Sequence, residues 1–472
     1  MTKDLTVGSP LRLILGFGLP TLLGMLFQQF YNLMDTMIVG KLLGAQALAA
    51  VGSTSSINFF VIGFCMGVCN GFAIPVAQRM GAGDLGKMRR YVANAAYLSL
   101  LLAAVLTVGT GALCRAILTA MNTPADIFDN AYVYIFIIFM GIPATFLYNL
   151  LAGVIRALGD SRTPVYFLAL SSVLNIGLDI TLILWAQAGV AGAAIATVVS
   201  QGISGVACLI YMGKRYPVLH MNREERRLDL SSCRMLCIMG VPMGLQYSIT
   251  AIGSIMLQSA VNALGSTYVA AVAAGSKLFQ LLGCPFDAMG ATMATYCGQN
   301  VGAWRLERLG QGIRACTLLG VIYSAAAFGA MLLFSEQCAM LFLEPTEPEL
   351  ALLTALTSQY ILTCSAFFIP LALVNIVRFS IQGMGYSAFA ILAGVLEMVA
   401  RTGVAYFLVP ALGYGAACFA SPAAWICADA FLIPASMACV ARLERKRPAL
   451  VPEKGPGPEG MPQAVPTKVR LS

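Results

Sequence analysis

Asp35 sits deep inside Leu11–Val39, an apolar run long enough to cross a bilayer. An ionised Asp at the centre of a membrane helix costs about 2.5–3.5 kcal/mol on insertion scales, so such a residue is a functional candidate by default. Gln28, Tyr31 and Asp35 are spaced i, i+3, i+7 and share one helical face. Pro20, earlier in the run, removes a backbone donor and is a candidate hinge. A second set lies in Leu174-Asn175-Ile176-Gly177-Leu178-Asp179, where Asn175 and Asp179 are i, i+4 neighbours. Thr197 ends a run of small residues, Gly189 to Ala196, that lets helix backbones approach closely. The oxygens of Asp35, Asn175, Asp179 and Thr197 are hard ligands suited to an alkali or alkaline-earth cation such as Na⁺. Two desolvated carboxylates near each other would equally hold one proton between them. The structural alternative for each residue is a hydrogen bond between neighbouring helices, and the case for Asn175 and Thr197 rests on the carboxylates beside them.

In the second half of the chain the chemistry is thinner. Asp287 follows Pro285 inside an apolar run, and Asp429 lies near Trp425; neither has a partner in sequence. Glu397 and Arg401, at i, i+4, are expected to form a structural ion pair within one helix.

The elements that must position these residues are membrane helices. The chain is 59% hydrophobic and 11% charged, against roughly a quarter charged in soluble domains, and its mean hydropathy is +0.81. Twelve membrane-length segments run from Leu11–Val39 to Gly415–Val440. The fold class is thus an all-α polytopic membrane protein. Of 29 Lys and Arg residues, 24 fall on one side of the twelve-span plan, which places both termini in the cytoplasm. The net charge of +8 therefore reports topology, and no nucleic-acid partner is expected.

The 14 cysteines lie mostly inside apolar runs as small buried side chains, and His220 is the only histidine, so no zinc site is expected. The first apolar run is too long for a signal peptide and lacks an A-x-A-like end.

The chain also repeats itself. Gln78-Arg79-Met80-Gly81-Ala82-Gly83 is echoed by Gln299-Asn300-Val301-Gly302-Ala303-Trp304, and Pro20/Pro242, Asn149/Asn375, Gly159/Gly385 and Gly189/Gly413 recur at similar offsets. Two pseudo-symmetric six-helix bundles follow, residues 1–213 and 235–447, entering the membrane from the same side. A charged linker joins them at 214–234, and a Pro/Gly-rich tail, 448–472, reads as disordered.

Asp35-Thr36-Met37-Ile38-Val39-Gly40, the two Gln…Gly-Ala repeats, Arg156-Ala157-Leu158-Gly159-Asp160 and Asn175…Asp179 together resemble the multidrug and toxic compound extrusion (MATE) family, in its DinF/MepA-like branch. The resemblance covers roughly residues 8–442. It implies a V-shaped pair of bundles around a central cavity, and export of lipophilic, often cationic compounds in exchange for Na⁺ or H⁺. It assigns Asp35 as the coupling aspartate of the first helix, Pro20 as the bend-forming proline, and Asn175, Asp179 and Thr197 as cation-site residues. The seventh and tenth segments carry the neutral Gln246 and Asn375 where NorM-type members have carboxylates. These two, with Gln28, Tyr31 and Asp287, are candidate cavity residues, and coupling is expected in the first bundle.

No nucleophile, base and metal set suggests an enzyme. No cofactor is expected beyond the coupling ion, and the partners are small-molecule substrates and lipid, with the chain a monomer in the plasma membrane. A related alternative is a flippase for lipid-linked oligosaccharides, which would need a basic cavity; Arg378 and Arg401 are the few basic residues inside segments. In the expected cycle a cation from outside neutralises the Asp35/Asp179 site and shifts the first helix about Pro20. One elementary charge crossing about 100 mV supplies roughly 2.3 kcal/mol, about a 50-fold gradient of a neutral substrate at roughly 1.4 kcal/mol per tenfold.

Overall fold

A computed structural model describes residues 3–121, 123–343 and 349–447; the tail 448–472 lies outside the described residues. Backbone groups cannot stay unpaired in hydrocarbon, and helices pair them internally. The chain accordingly runs through α1 (Pro10–Leu43), α2 (Ala45–Gly81), α3 (Leu85–Ala120), α4 (Phe128–Met140), α5 (Ile142–Ala157), α6 (Arg162–Ile180) and α7 (Gly189–Arg215). After the linker follow α8 (Leu230–Asn262), α9 (Ser266–Gly302), α10 (Glu307–Met340), α11 (Leu350–Ala366), α12 (Phe368–Gly383), α13 (Ser387–Gly403), α14 (Val409–Leu412) and α15 (Tyr414–Arg445). Among the described residues ten helices are long and apolar enough to span a membrane singly, and counting each of the bent pairs α4–α5 and α11–α12 as one span gives twelve.

The internal repeat reappears as matched irregularities. The two bends, 46° and 51°, fall at Gly141 and Phe367, just before Pro143 and Pro370, whose missing N–H weakens the helix there. The next span of each half carries a π-helical turn towards its end, Thr181–Trp185 and Val404–Leu408, a feature that hydropathy does not reveal. Left-handed glycines close corresponding turns at Gly159 (φ 86°) and Gly385 (φ 94°).

Two hydrophobic cores form. One gathers residues from Val39 to Leu219 with Leu236, and the other residues from Leu257 to Leu443. Leu5, just before α1, and Leu13, Ile14 and Phe17 in its first turns join the second core, while Val39 near its end belongs to the first. Helix α1 thus starts against one half and ends in the other, with Pro20 between the two attachments.

The halves meet along a seam of small residues. Gly63, Gly67 and Gly71 of α2 face Tyr247, Gly244 and Gly240 of α8, and at Gly67 and Gly71 an added methyl would lie 2.5 Å from backbone atoms of α8. Such i, i+4 glycines allow backbone-to-backbone packing in membranes. The seam runs from Ser248, whose hydroxyl donates to Phe60 O, down to the face carrying both termini and most of the basic residues.

At that basic face the repeated motifs lock reciprocally. Gln78 Nε2 donates to Gly383 O at 3.0 Å, and Gln299 Nε2 donates to Ala157 O at 2.9 Å. Gly81 packs on the Gln299 carbonyl and Gly302 on the Gln78 carbonyl. The N-terminal segment straps the same junction, with Lys3 N donating to Leu158 O and Leu5 N to Gln299 Oε1.

Side-chain caps fix the helix starts. Asp84 accepts from Lys87 N, Asp229 from Ser231 N and Ser232 N, and Asp160 from Arg162 N and Thr163 N. The linker docks on α3 through a two-pronged Arg89–Glu225 ion pair at 2.7 and 2.8 Å.

Candidate cation-coupling site

The packing of α1 on α6 and α7 brings the candidates from three helices together. Tyr31 and Asp35 stand one turn apart on α1, Asn175 and Asp179 one turn apart on α6, and Thr197 projects from α7. Asn175 and Asp179 are completely buried. Asn175 Nδ2 donates to Thr197 Oγ1 at 3.3 Å, Tyr31 Oη lies 3.4 Å from the same hydroxyl, and Thr197 Oγ1 donates to Ala193 O. The Asp35 and Asp179 carboxyl groups meet within hydrogen-bonding reach. Tyr134 of α4 lies within electrostatic reach of both; no spacing rule singled it out, because it enters from a helix without a charged motif nearby.

The electrostatics of this cluster are unbalanced. Asp35 Oδ1, Asn175 Oδ1 and both Asp179 oxygens are buried with no donor among the described residues. Two carboxyl groups in contact repel unless a proton or a cation lies between them. Among the described residues no three of His, Cys, Asp and Glu gather as a transition-metal site requires. Two carboxylates, an amide oxygen and a hydroxyl form a donor set of the kind that holds H⁺ or a hard cation.

The remaining expectations fare differently. Gln28 is half-buried on α1, and Pro20 lies within α1 as expected. Gln246 and Asn375, expected at a cavity, are buried: Gln246 Oε1 accepts from Gln382 Nε2 at 2.6 Å, and Asn375 Nδ2 donates to Leu371 O of its own helix. Asp287 is exposed, within electrostatic reach of Arg378.

The expected Glu397–Arg401 ion pair is corrected by the structure, because Glu397 pairs with Arg378 instead. Helix α12 packs against α13 and carries the guanidinium of Arg378 to the carboxylate, a contact between helices that intrahelical spacing cannot disclose. Asp429 of α15 lies within electrostatic reach of the same guanidinium. Arg401 is left beside Tyr360 and Cys364, its Nε without an acceptor among the described residues.

Comparison with known proteins agrees with this architecture. The family profile described as MatE matches residues 20–181 and 242–407, one block in each half. The chain is similar to the probable multidrug resistance protein YpnP of Bacillus subtilis (strain 168), at 32% identity over 79% of this chain and 82% of the relative. It is also similar to the probable multidrug resistance protein YoeA of the same organism, at 31% identity over 70% of this chain and 73% of the relative. Among solved structures, an outward-facing conformation of a multidrug resistance MATE family transporter of the MOP superfamily superposes with a TM-score of 0.87. That match has 22% identity and covers 94% of this chain and 99% of the other. The repeated helical architecture and the matched family blocks make the chain a member of the MatE family, a multi-pass membrane transporter and not an enzyme.

Proposed function

We propose that the chain is a plasma-membrane antiporter that exports lipophilic, cationic compounds in exchange for H⁺ or Na⁺, acting as a monomer with both termini in the cytoplasm. The observation that carries this reading is the set of donorless oxygens where Asp35 meets Asp179. A single positive charge there satisfies both carboxyls, and its departure restores their repulsion, so occupancy changes the fit of α1 against α6. Helix α1 is attached to both cores, on either side of Pro20. A change at Asp35 therefore acts on a helix that touches both halves, which links ion binding to their relative position. The multidrug-resistance names of YpnP and YoeA support export of small molecules and lend nothing to an oligosaccharide flippase.

Ethidium efflux from vesicles under an imposed Na⁺ or H⁺ gradient tests the exchange and selects the ion. Export is expected under one gradient, and export that ignores both would end the antiport reading. Should Na⁺ drive it, Na⁺ affinity should fall in Asp179→Ala; unchanged affinity would remove the oxygen cluster from the site.

A further inference from the structure

The segment that joins the two halves is pinned along the side of α3. Tyr97 Oη donates to Arg226 O at 2.9 Å, and the buried Asn94 donates from Nδ2 to Arg227 O at 3.4 Å. Asn94 Oδ1 in turn accepts from Asp229 N at 2.9 Å and from Cys233 Sγ at 3.3 Å, which fixes the start of α8 to the same turn of α3.

These bonds set the depth of the segment. Helix α3 has 36 residues, about 54 Å of helix against about 30 Å of hydrocarbon, so part of it stands outside the apolar layer. Tyr97 lies about 18 Å from the helix start at Leu85. Just beyond it α3 exposes Leu100, Leu101 and Val105, an apolar wall that lipid must cover. Tyrosine is enriched at the boundary between membrane and water. Residues 226–230 therefore sit at the edge of the bilayer.

Their surface suits that place. Leu228 and Leu230 are 69% and 81% exposed, and the apolar surface continues through the exposed Met235 and Ile238 of α8. Arg226, Arg227 and Arg234 are exposed as well, and none of these side chains has an ion pair or hydrogen bond among the described residues. Of the carboxylates between 222 and 234, Glu225 is taken by Arg89 and Asp229 caps α8, which leaves Glu224. A soluble anion makes no use of the leucines, and a soluble protein would have to displace the lipid beside them.

We propose that residues 226–234 bind an anionic phospholipid at the bilayer edge, its phosphate on Arg226, Arg227 and Arg234 and its acyl chains along Leu228 and Leu230. The inference is independent of which compound is exported. Because the same residues tie α8 to α3, a bound lipid holds the first helix of the second half against the first half.

Hydrogen–deuterium exchange of the full chain in nanodiscs tests this. Exchange over 226–234 should be slower in discs containing phosphatidylglycerol than in pure phosphatidylcholine, and raised salt should reduce the difference. In Arg227→Gln the phosphatidylglycerol content giving half the effect should rise about fivefold, the scale of one basic residue at an anionic surface. In Arg226→Gln/Arg227→Gln the effect should disappear while exchange over 78–83 stays unchanged. Equal exchange in the two kinds of disc, or slowing that survives in the double variant, would overturn the proposal. So would equal slowing by glycerol phosphate in phosphatidylcholine discs, which would make this a soluble-anion site, or slowing by a polyglutamate peptide alone, which would assign it to an acidic protein.

Discussion

Gly302→Ala is a sharp test of the reciprocal lock at the basic face. A methyl group added there would lie 1.8 Å from the Gln78 carbonyl oxygen, against backbone that cannot rotate away. Ordinary contacts to carbon fall at about 3.5–4.0 Å, so the halves must part locally by roughly 1.5 Å. That movement stretches the Gln78–Gly383 and Gln299–Ala157 hydrogen bonds, now 3.0 and 2.9 Å, beyond useful length. Losing both, at about 1–2 kcal/mol each, disfavours the closed junction by about 2–4 kcal/mol, a shift of roughly 30- to 700-fold.

Hydrogen–deuterium exchange over residues 78–83 and 299–303 reads this population directly. Gly310→Ala is the control: a methyl there meets open space, and the helix gains up to about 1 kcal/mol in propensity. Exchange should accelerate in Gly302→Ala and not in Gly310→Ala, and ethidium export should slow because one end of the transport cycle becomes hard to reach. Identical exchange in the two variants would refute the lock.

Three further outcomes concern buried charges. Asp160, between α5 and α6, is buried, which pushes its carboxyl up. Hydrogen bonds from Tyr216 and Thr163 outweigh that and hold it at about 2. Because the folded value is depressed, the stabilisation of about 2 kcal/mol is present above about pH 4 and is lost as the pH falls through about 2. The difference in thermal unfolding between wild type and Asp160→Asn should therefore be constant at neutral pH and shrink across that window; a pH-independent difference would contradict it. Glu397→Gln leaves Arg378 without its direct ion-pair partner and should lower the melting temperature markedly, at about 3–5 kcal/mol for a broken buried pair. Arg401→Met should be neutral or stabilising, and a large loss there would restore the intrahelical pair.

What was legible in the sequence was local or periodic. Asp35, Asn175 and Asp179 stood out because a carboxylate in an apolar run is rare and helical spacing sets its neighbours, and the structure brings them together. The repeat announced its two halves through Gln78…Gly81 and Gln299…Gly302, but not that each copy clasps the other's half, because reciprocity is a property of the docked pair. Tyr134, the Arg378–Glu397 pair and the burial of Gln246 were hidden for the same reason: each depends on which faces of separate helices meet. Helix α1 illustrates the limit well, since its continuous hydropathy conceals that Phe17 and Val39 pack into different cores.

The central claim is that the Asp35 carboxyl couples ion entry to export through its contact with Asp179. Gradient-driven ethidium efflux from vesicles carrying wild type or Asp35→Asn, at matched protein density, tests it most directly. The amide cannot carry the charge that the ion neutralises, so the account predicts that the gradient-dependent part of export disappears in Asp35→Asn. Undiminished gradient-driven export by that variant would contradict it.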